Sequence, residues 1–330
     1  MVSGEAAPRT ACGGARGKRW ALAVETVDCN LCGADDGELV LEGHDRLHGI
    51  GGTFRLVRCR RCGLIYLNPR PTAAEMKRYY PNNYISYTPA IEDEPRFWRR
   101  LDRRYGLYRR CRAVISRASR LGRLLDVGCA TGIFLDGMRC RGWETWGVEP
   151  NAGAARYAQD HLGLNVFVGE LEGAAFPDRF FDVITLWDVL EHVRDPRRTL
   201  GEIARILRPG GLLVLSLPNP DCLEARLFGS YWAGWDVPRH LYVFSRPVLE
   251  RLLAETGFQI QEMSSFTGRY HVLVLSTQLW LAEHLTSQRL RQLILAVMRS
   301  WPARALALPW YALADRWNQS SIMTVFARRS

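Results

Sequence analysis

The chain has 330 residues, 47% of them hydrophobic, and a mean hydropathy of -0.15; this suits a globular protein with one large domain and a smaller one. A formal net charge of +10 keeps nucleic acid among the partners to consider. The sequence contains no uninterrupted apolar run of 18 residues, so it predicts no membrane-spanning helix.

The N-terminal residues 1–26 are rich in small and basic residues and are predicted to form a disordered leader. They lack the apolar core of a secretory signal. Of the nine cysteines, four form two C-x-x-C pairs and the others are scattered, which does not indicate a disulfide framework. These features together favour the reducing cytoplasm.

Residues 27–72 carry both C-x-x-C pairs and are predicted to form a small zinc ribbon. Four thiolates in paired spacing suit tetrahedral zinc, and the closed set indicates a structural rather than a catalytic site. Four unrelated cysteines or a redox pair are the alternatives, but two matched pairs favour a metal. The predicted ligands are Cys29, Cys32, Cys59 and Cys62.

Residues 73–120 are predicted to form a helical, arginine-rich connector. It begins with four tyrosines, which either cover a ligand or pack the ribbon against the next domain; packing is favoured because aromatic clusters usually form core. Residues 95–123 interleave arginines with aromatic residues. These arginines could contact phosphates of a nucleotide-linked substrate, RNA or an anionic surface, or form a solvated helix face. The tyrosines are Tyr79, Tyr80, Tyr84 and Tyr87.

Residues 124–132 read as a buried strand, a glycine-rich turn and the start of a helix. Gly128 and Gly132 allow positive φ and a close approach of the backbone to a ligand. The dinucleotide fingerprint G-x-G-x-x-G is absent, which argues against NAD or FAD. A second strand over 143–148 leads into Glu149-Pro150, where an acidic side chain can accept hydrogen bonds from ribose hydroxyls.

Further motifs follow in order, with FDVI at 181–184, LEHV at 190–193 and LRPGG at 207–211. With residues 124–132, where Ala130 replaces a common middle glycine, the chain closely resembles class I S-adenosylmethionine-dependent methyltransferases. The resemblance covers roughly residues 120–265 and the last strand. It implies a Rossmann-like α/β fold with a seven-stranded sheet and S-adenosyl-L-methionine as the cofactor.

The resemblance also implies a role for each strand end. The glycine turn would cradle the methionine part of the cofactor, supported by Asp126, and Glu149 would bind the ribose. Glu170 and Leu171 lie where the family contacts adenine. The residues expected to bind the cofactor are Asp126, Gly128, Cys129, Gly132, Glu149, Pro150, Glu170, Leu171, Trp187 and Asp188.

Two histidines are candidates for a general base. Methyl transfer is an in-line displacement that depends on alignment of the reacting atoms, and a base assists an acceptor hydroxyl or activated carbon. His240 is the first choice, because its loop at 231–240 borders the acceptor in related enzymes and carries aromatic and ionisable side chains. Arg239 of this loop could pair with a phosphate. His192 is second, and could instead orient a loop.

The C-terminal part contains a helix over 247–256, a strand over 258–266 and a last strand over 321–328. The stretch 272–315 is predicted to be a helical insertion, which Pro302 and Pro309 divide into short helices. It could act as a lid, a dimer face or an amphipathic element on a membrane, or pack internally.

The sequence therefore predicts a zinc ribbon followed by a methyltransferase domain over 121–330. The ribbon resembles that of a bacterial methyltransferase subgroup, many of whose members belong to polysaccharide or secondary-metabolite clusters. The expected reaction is O- or C-methylation of a small molecule such as a sugar, nucleotide sugar or secondary-metabolite intermediate. A zinc-containing rRNA or tRNA methyltransferase is the alternative, although no RNA-binding module is visible. A catalytically inactive cofactor-binding scaffold is the second alternative.

Overall fold

The computed structural model describes residues 22–81, 91–265, 269–317 and 319–330. The predicted leader up to residue 21, together with Tyr84 and Tyr87, lies outside the described residues. Within them, every helix is too short or too polar to cross a lipid bilayer.

The N-terminal part is built from short antiparallel strands and two helices. In β3 the buried Phe54 and Leu56 alternate with the exposed Arg55, as expected for a strand with one face on a core. The elements in order are β1 (Val24–Glu25), β2 (Gly37–Gly43), β3 (Phe54–Cys59), β4 (Ile65–Leu67), β5 (Arg70–Pro71), α1 (Ala73–Met76) and α2 (Phe97–Ile115).

Strands and helices alternate after α2 until the middle of the domain, which is the pattern of a parallel sheet with crossover helices. The elements are β6 (Arg123–Val127), α3 (Ile133–Arg139), β7 (Glu144–Glu149), α4 (Ala152–Leu162), β8 (Asn165–Val168), β9 (Phe181–Trp187), α5 (Pro196–Ile206) and β10 (Leu207–Pro218). The remaining elements are α6 (Leu223–Phe228), β11 (Tyr242–Val243), α7 (Arg246–Glu255), β12 (Phe258–Ser264), α8 (Arg269–His284), α9 (Gln288–Met298), α10 (Trp301–Arg316) and β13 (Ile322–Arg329).

The central sheet has seven strands in the order β12-β13-β10-β9-β6-β7-β8. The five strands from β6 to β10 run parallel, and β13 inserts antiparallel to β10 and β12. This confirms the predicted Rossmann-like sheet. The strand order reverses between β6 and β9, and in open α/β sheets ligands bind beyond the carboxyl ends of the strands at this point.

Local sequence signals set the ends of the crossover helices. The Asn151 side chain accepts a hydrogen bond from the Ala154 amide at 2.9 Å and begins α4. Gly163, with a φ of +61°, ends it. Asp195 caps α5 in the same way, and Pro196 occupies the first turn. These helix starts lie close to the strand ends that carry the expected cofactor residues.

The ribbon is fused to the central domain by a shared sheet and a shared core. Strand β11, which follows β10 in the chain, pairs antiparallel with β4, so that Tyr242 lies opposite Tyr66. Buried residues of the ribbon and of the central sheet belong to one hydrophobic cluster. The division at residues 72 and 120 remains a prediction, since part of the later chain completes the ribbon's sheet.

The helical insertion differs from its prediction in where its helices end. The breaks fall at residues 285–287 and 299–300 rather than at the two prolines. Pro302 lies in the first turn of α10, where a missing N–H costs little, and Pro309 lies inside the same helix. The division at Pro309 is therefore wrong, whereas a break does precede the turn that carries Pro302.

Candidate active site

A cavity of about 1400 Å³ opens at the carboxyl ends of β6, β7 and β9, beneath α2, α8 and α10. Pockets for single small ligands commonly measure about 300–1,000 Å³. The cavity therefore has room for a nucleoside-sized cofactor together with an acceptor. The helical insertion supplies part of its wall, through Tyr270, His271, Arg304 and Tyr311.

The turn between β6 and α3 lines the cavity with consecutive residues from Gly128 to Thr131. Gly128 has a φ of +72°, and a Cβ added there would lie 2.5 Å from Cγ2 of Val189. Ala130 also has positive φ, at +48°, which explains why glycine suits this position. Gly132 does not line the cavity; its missing Cβ makes room for Leu164 and Ala158 instead.

Glu149, at the end of β7, holds the turn in place. One carboxylate oxygen accepts a hydrogen bond from the Ala130 amide and the other from the Asn151 amide, each at 2.8 Å. The side chain is buried and lines the cavity, and burial raises its pKa. Each oxygen keeps a further lone pair that can accept a hydrogen bond from a ligand hydroxyl.

Asp126, at the end of β6, is a buried carboxyl group beneath the same turn. The Thr185 hydroxyl donates a hydrogen bond of 2.6 Å to it. Burial raises the pKa of Asp126 to about 7. A positively charged ligand group would therefore favour its ionised form.

The remaining residues predicted to bind the cofactor lie around the same cavity. Trp187 packs edge-on against Phe134 at 5.4 Å between ring centroids, and the Arg110 guanidinium lies 5.2 Å from the centre of its ring. Asp188 adopts a φ of +57° and accepts a hydrogen bond from the Ser216 hydroxyl. Cavity-lining residues also include Cys129, Pro150, Glu170 and Leu171.

His192 lines the cavity, next to Asp188 and Val189. Its Nδ1 lies 3.0 Å from the Arg239 carbonyl oxygen and 3.0 Å from the Tyr80 hydroxyl. Because a carbonyl oxygen only accepts, this contact assigns the proton to Nδ1 and leaves the lone pair on Nε2. Burial and the neighbouring His240 lower the pKa of His192 to about 3, so it is neutral near pH 7.

His240 lies behind His192 rather than on the cavity wall. The two rings meet edge-on, with 4.7 Å between their centroids. Its Nδ1 donates to the Gly234 carbonyl at 2.8 Å, and its Nε2 lies 4.0 Å from the carboxylates of Glu191 and Asp236. Burial lowers the pKa of His240. The pair thus consists of an inner, buried imidazole and an outer one that reaches the cavity.

Glu191 is fully buried beside His240, and sequence reasoning did not select it. Its carboxylate oxygens have no hydrogen-bond partner among the described residues. Burial raises its pKa well above the usual range. Although burial alone would also raise the pKa of its neighbour Asp236, that pKa is lowered because Arg239 donates hydrogen bonds to the carboxylate.

The loop at 231–240 is packed into the interface with the ribbon. Arg239 is fully buried, and its guanidinium donates to Asp236 at 2.9 Å, to Asp45 at 2.8 Å and to the Tyr79 carbonyl at 3.2 Å. It is therefore inaccessible to a ligand phosphate, and that prediction is wrong. The positive charge of Arg239 is neutralised by carboxylates of the ribbon and of the loop itself, since an unpaired buried arginine would be costly.

Arginines from two helices also line the cavity. Helix α2 contributes Arg103, Arg109 and Arg110, and α10 contributes Arg304. The sequence pattern indicated a basic α2 but not its position over the strand ends, because nothing local specifies where that helix packs. The cavity thus combines acidic side chains at the strand ends with arginines of its helical cover, one of which, Arg304, pairs with Asp102.

The four ribbon cysteines converge on one point. Their ligand atoms all lie within 4.8 Å of one another, with Sγ–Sγ distances of 3.3 Å for Cys29–Cys62 and 3.5 Å for Cys32–Cys59. The two pairs sit in matching turns, since the amide of the glycine after each pair donates to the first cysteine's carbonyl at 2.8 Å. This donor set fits a tetrahedral zinc ion.

Comparisons with known proteins agree with this architecture. A family model described as a methyltransferase domain matches residues 97–263. The ubiquinone biosynthesis O-methyltransferase of Thiobacillus denitrificans is 32% identical over 172 residues, covering 48% of this chain and 74% of that protein. The protein of the same name from an Azoarcus species is 31% identical over 159 residues, covering 44% and 67%.

Among solved structures, the geranyl diphosphate C-methyltransferase of Streptomyces coelicolor, in complex with Mg²⁺, geranyl diphosphate and S-adenosyl-L-homocysteine, aligns with a TM-score of 0.51. It is 14% identical and the alignment covers 79% of this chain and 100% of that one, so the likeness concerns the fold. The family model spans half of this chain and the first relative is matched over most of its length. The chain belongs to the class I S-adenosylmethionine-dependent methyltransferases.

Proposed function

We propose that this enzyme methylates an anionic small molecule, such as a nucleotide sugar or another phosphate-bearing biosynthetic intermediate. The observation that carries the proposal is the presence of both acidic and basic groups in the cavity. Acidic groups lie at the strand ends, and Arg103, Arg109, Arg110 and Arg304 line the same cavity, where Arg304 also pairs with Asp102. Guanidinium groups bind phosphate and carboxylate oxygens well, often in a bidentate manner.

The acidic end suits the cofactor. S-adenosyl-L-methionine, when bound, supplies a methyl group activated by a sulfonium ion. The ionised Asp126 compensates positive charge, the Gly128 backbone leaves room for the ligand, and Glu149 accepts hydrogen bonds from ribose hydroxyls. Glu170 and Leu171 bind the adenine end, and Trp187 and Asp188 bound the space between cofactor and acceptor.

We assign the base to His192 rather than to His240. Only His192 reaches the cavity among the two, and the Arg239 carbonyl fixes its tautomer so that Nε2 can take a proton from the acceptor. His240 positions the outer ring by packing against it. The chain's residues thereby align the acceptor and remove its proton, while the arginines hold its anionic group.

The ribbon holds one structural zinc ion in this proposal. Cys29, Cys32, Cys59 and Cys62 use all four tetrahedral positions, which leaves none for a substrate. The ion would fix the two matching turns and, through them, the strands that the central domain shares with the ribbon.

The acceptor class can be tested with methyl-labelled cofactor. The purified protein is incubated with nucleotide sugars, their uncharged sugar counterparts, and total tRNA and rRNA. Label transfer to the phosphate-bearing acceptors, and not to the uncharged sugars, is the expected result. Transfer to RNA alone would favour the alternative, and cofactor binding without transfer to any acceptor class would favour the scaffold.

Glu149→Ala is expected to weaken cofactor binding by about a hundredfold. The substitution removes hydrogen bonds to charged oxygens, each worth about 1.5–3 kcal/mol, and about 2.7 kcal/mol corresponds to a hundredfold. It also releases the Ala130 and Asn151 amides. Calorimetry with S-adenosyl-L-homocysteine measures the change. Glu144→Ala, at the other end of β7, is the matched control, and equal affinities for both variants would contradict the assignment.

Cofactor affinity is expected to rise between about pH 6 and pH 8. Asp126 has a pKa of about 7, so below that pH it is protonated and above it the carboxylate attracts the cationic cofactor. In Asp126→Asn the affinity should be lower and nearly independent of pH over this range. Calorimetry at several pH values gives both curves, and parallel curves would show that another group titrates.

A further inference from the structure

The helices that cover the cavity expose many large apolar side chains. On α10, Trp301 is 75% and Leu306 is 82% exposed, and on α9 Leu293 is 61% exposed. On α2, Phe97, Leu101 and Tyr105 are exposed at a helical spacing of four residues, which forms one apolar stripe. Contiguous apolar surface of this kind usually marks a binding face.

These helices adjoin one another at the mouth of the cavity. Arg304 of α10 forms an ion pair with Asp102 of α2 at 3.1 Å, and residues of both helices line the cavity. Helix α8 joins α9 to α10. Its Tyr270 donates a hydrogen bond to the Met298 carbonyl at the end of α9 and packs against Tyr311 of α10. We call the exposed surface of α2, α9 and α10 the mouth face.

The same helices carry a large net positive charge. Together α2, α9 and α10 contain eleven arginines, two aspartates, and no lysine or glutamate. Their formal charge of +9 compares with +10 for all 330 residues, and four of their arginines, Arg103, Arg109, Arg110 and Arg304, line the cavity. Helices that combine arginines with exposed tryptophan and leucine are typical of proteins that lie in the headgroup region of a bilayer.

Charge and side-chain type distinguish between possible partners. A second copy meeting the mouth face with its own would bring two strongly positive surfaces together, which opposes a symmetric dimer. RNA would match the arginines and aromatic rings, but it offers no partner for exposed aliphatic residues such as Leu293 and Leu306. An anionic lipid surface matches both the charge and the aliphatic groups.

We propose that the mouth face docks the enzyme on anionic phospholipid membranes. Apolar side chains of α9 and α10 insert among the lipid headgroups, and arginines of the three helices contact lipid phosphates. The cavity then opens toward the bilayer, from which an amphipathic acceptor with an anionic head can enter. Docking depends on surface residues and not on the assignment of the base or the acceptor.

Flotation of the full-length, zinc-loaded protein with lipid vesicles tests the proposal. Vesicles of phosphatidylcholine mixed with phosphatidylglycerol are compared with vesicles of phosphatidylcholine alone. The wild type is expected to bind the anionic vesicles and to bind neutral ones at least about tenfold more weakly. Binding should also weaken as salt is raised, because exposed charges are screened.

Paired substitutions locate the contact. Leu293→Glu with Leu306→Glu places charge on the apolar part of the mouth face without touching cavity-lining residues, and should reduce vesicle binding at least about tenfold. Leu39→Glu with Leu121→Glu is the matched control, since those leucines are 61% and 60% exposed elsewhere. Arg99→Glu should reduce binding to anionic vesicles alone. All variants should bind S-adenosyl-L-homocysteine as the wild type does, which verifies folding.

Two outcomes would overturn the proposal. The first is a wild type that binds neither kind of vesicle; if its dimerisation or tRNA binding also disappears in the Leu293→Glu, Leu306→Glu variant, a second copy or RNA covers the mouth face instead. The second is an equal loss of vesicle binding in the two paired variants.

Discussion

His192→Ala is expected to lower turnover by at least about a hundredfold, since a general base contributes roughly 10²–10⁴-fold. The side chain lines the cavity, and the Arg239 carbonyl holds its proton on Nδ1. A pKa of about 3 leaves the ring neutral at neutral pH but also makes it a weak base, so the assignment rests on the position and the tautomer of the ring. Cofactor affinity should be unchanged, and single-turnover measurements at saturating cofactor should show the loss in the chemical step.

His240→Ala tests whether His240 is itself the general base or only supports the His192 ring. His240 contacts the back of the His192 ring and holds the Gly234 carbonyl. Its loss should reduce the melting temperature and lower turnover less than His192→Ala does. A well-folded His192→Ala protein with normal turnover would contradict the assignment. If a folded His240→Ala protein loses more turnover than His192→Ala does, His240, which the sequence favoured, would be the base.

The cofactor end of the site was predictable because its requirements are local. A ligand close to the backbone needs small residues and positive φ at a turn. Both requirements are visible in a few consecutive residues of the sequence, as at Gly128 and Ala130. The acidic residue at the end of the next strand follows at a fixed interval, since each βα unit has a regular length. Glu149 could therefore be placed at the end of a strand beside the glycine turn without the structure, while its role in cofactor binding stays a prediction.

The acceptor end was less predictable because its contacts are distant in the chain. Arg239 and Asp45 are separated by 194 residues and meet only because the loop after β10 packs against the ribbon. No local pattern shows that this arginine is buried in an ion pair. The same packing keeps His240 away from the cavity wall, on the far side of His192. A sequence motif does not show which of two imidazoles lines the cavity.

The ribbon therefore has a structural link to the chemistry that its sequence does not reveal. Strand β4 pairs with β11, and Asp45 binds the arginine next to His240. Between these two contacts lies the segment that supports His192. A change that unfolds the ribbon should disturb the base while leaving the glycine turn and Glu149 largely intact.

Cys59→Ser is expected to abolish zinc binding and to reduce turnover strongly, with a smaller effect on cofactor affinity. Structural zinc in small peptide domains contributes apparent binding free energies of about 10–16 kcal/mol, so loss of one thiolate should unfold the ribbon locally. Elemental analysis should find about one zinc per wild-type chain, as a four-thiolate site implies, and little in the variant. Melting temperature, calorimetry with S-adenosyl-L-homocysteine and methyl transfer give the other effects.

Cys140→Ser is the matched control, because Cys140 is an exposed cysteine at the end of α3, outside the ribbon. It should keep its zinc, its melting temperature and its activity. The zinc assignment would be contradicted if the wild type remains fully folded after complete removal of metal by a chelator. If Cys59→Ser loses zinc and the ribbon unfolds, yet turnover is preserved, the zinc site stands but the link from Asp45 and β11 to the histidines has no catalytic role. Loss of turnover with preserved cofactor binding would instead place the effect of the metal at the acceptor end of the cavity, where β11 and Arg239 join the ribbon to the base.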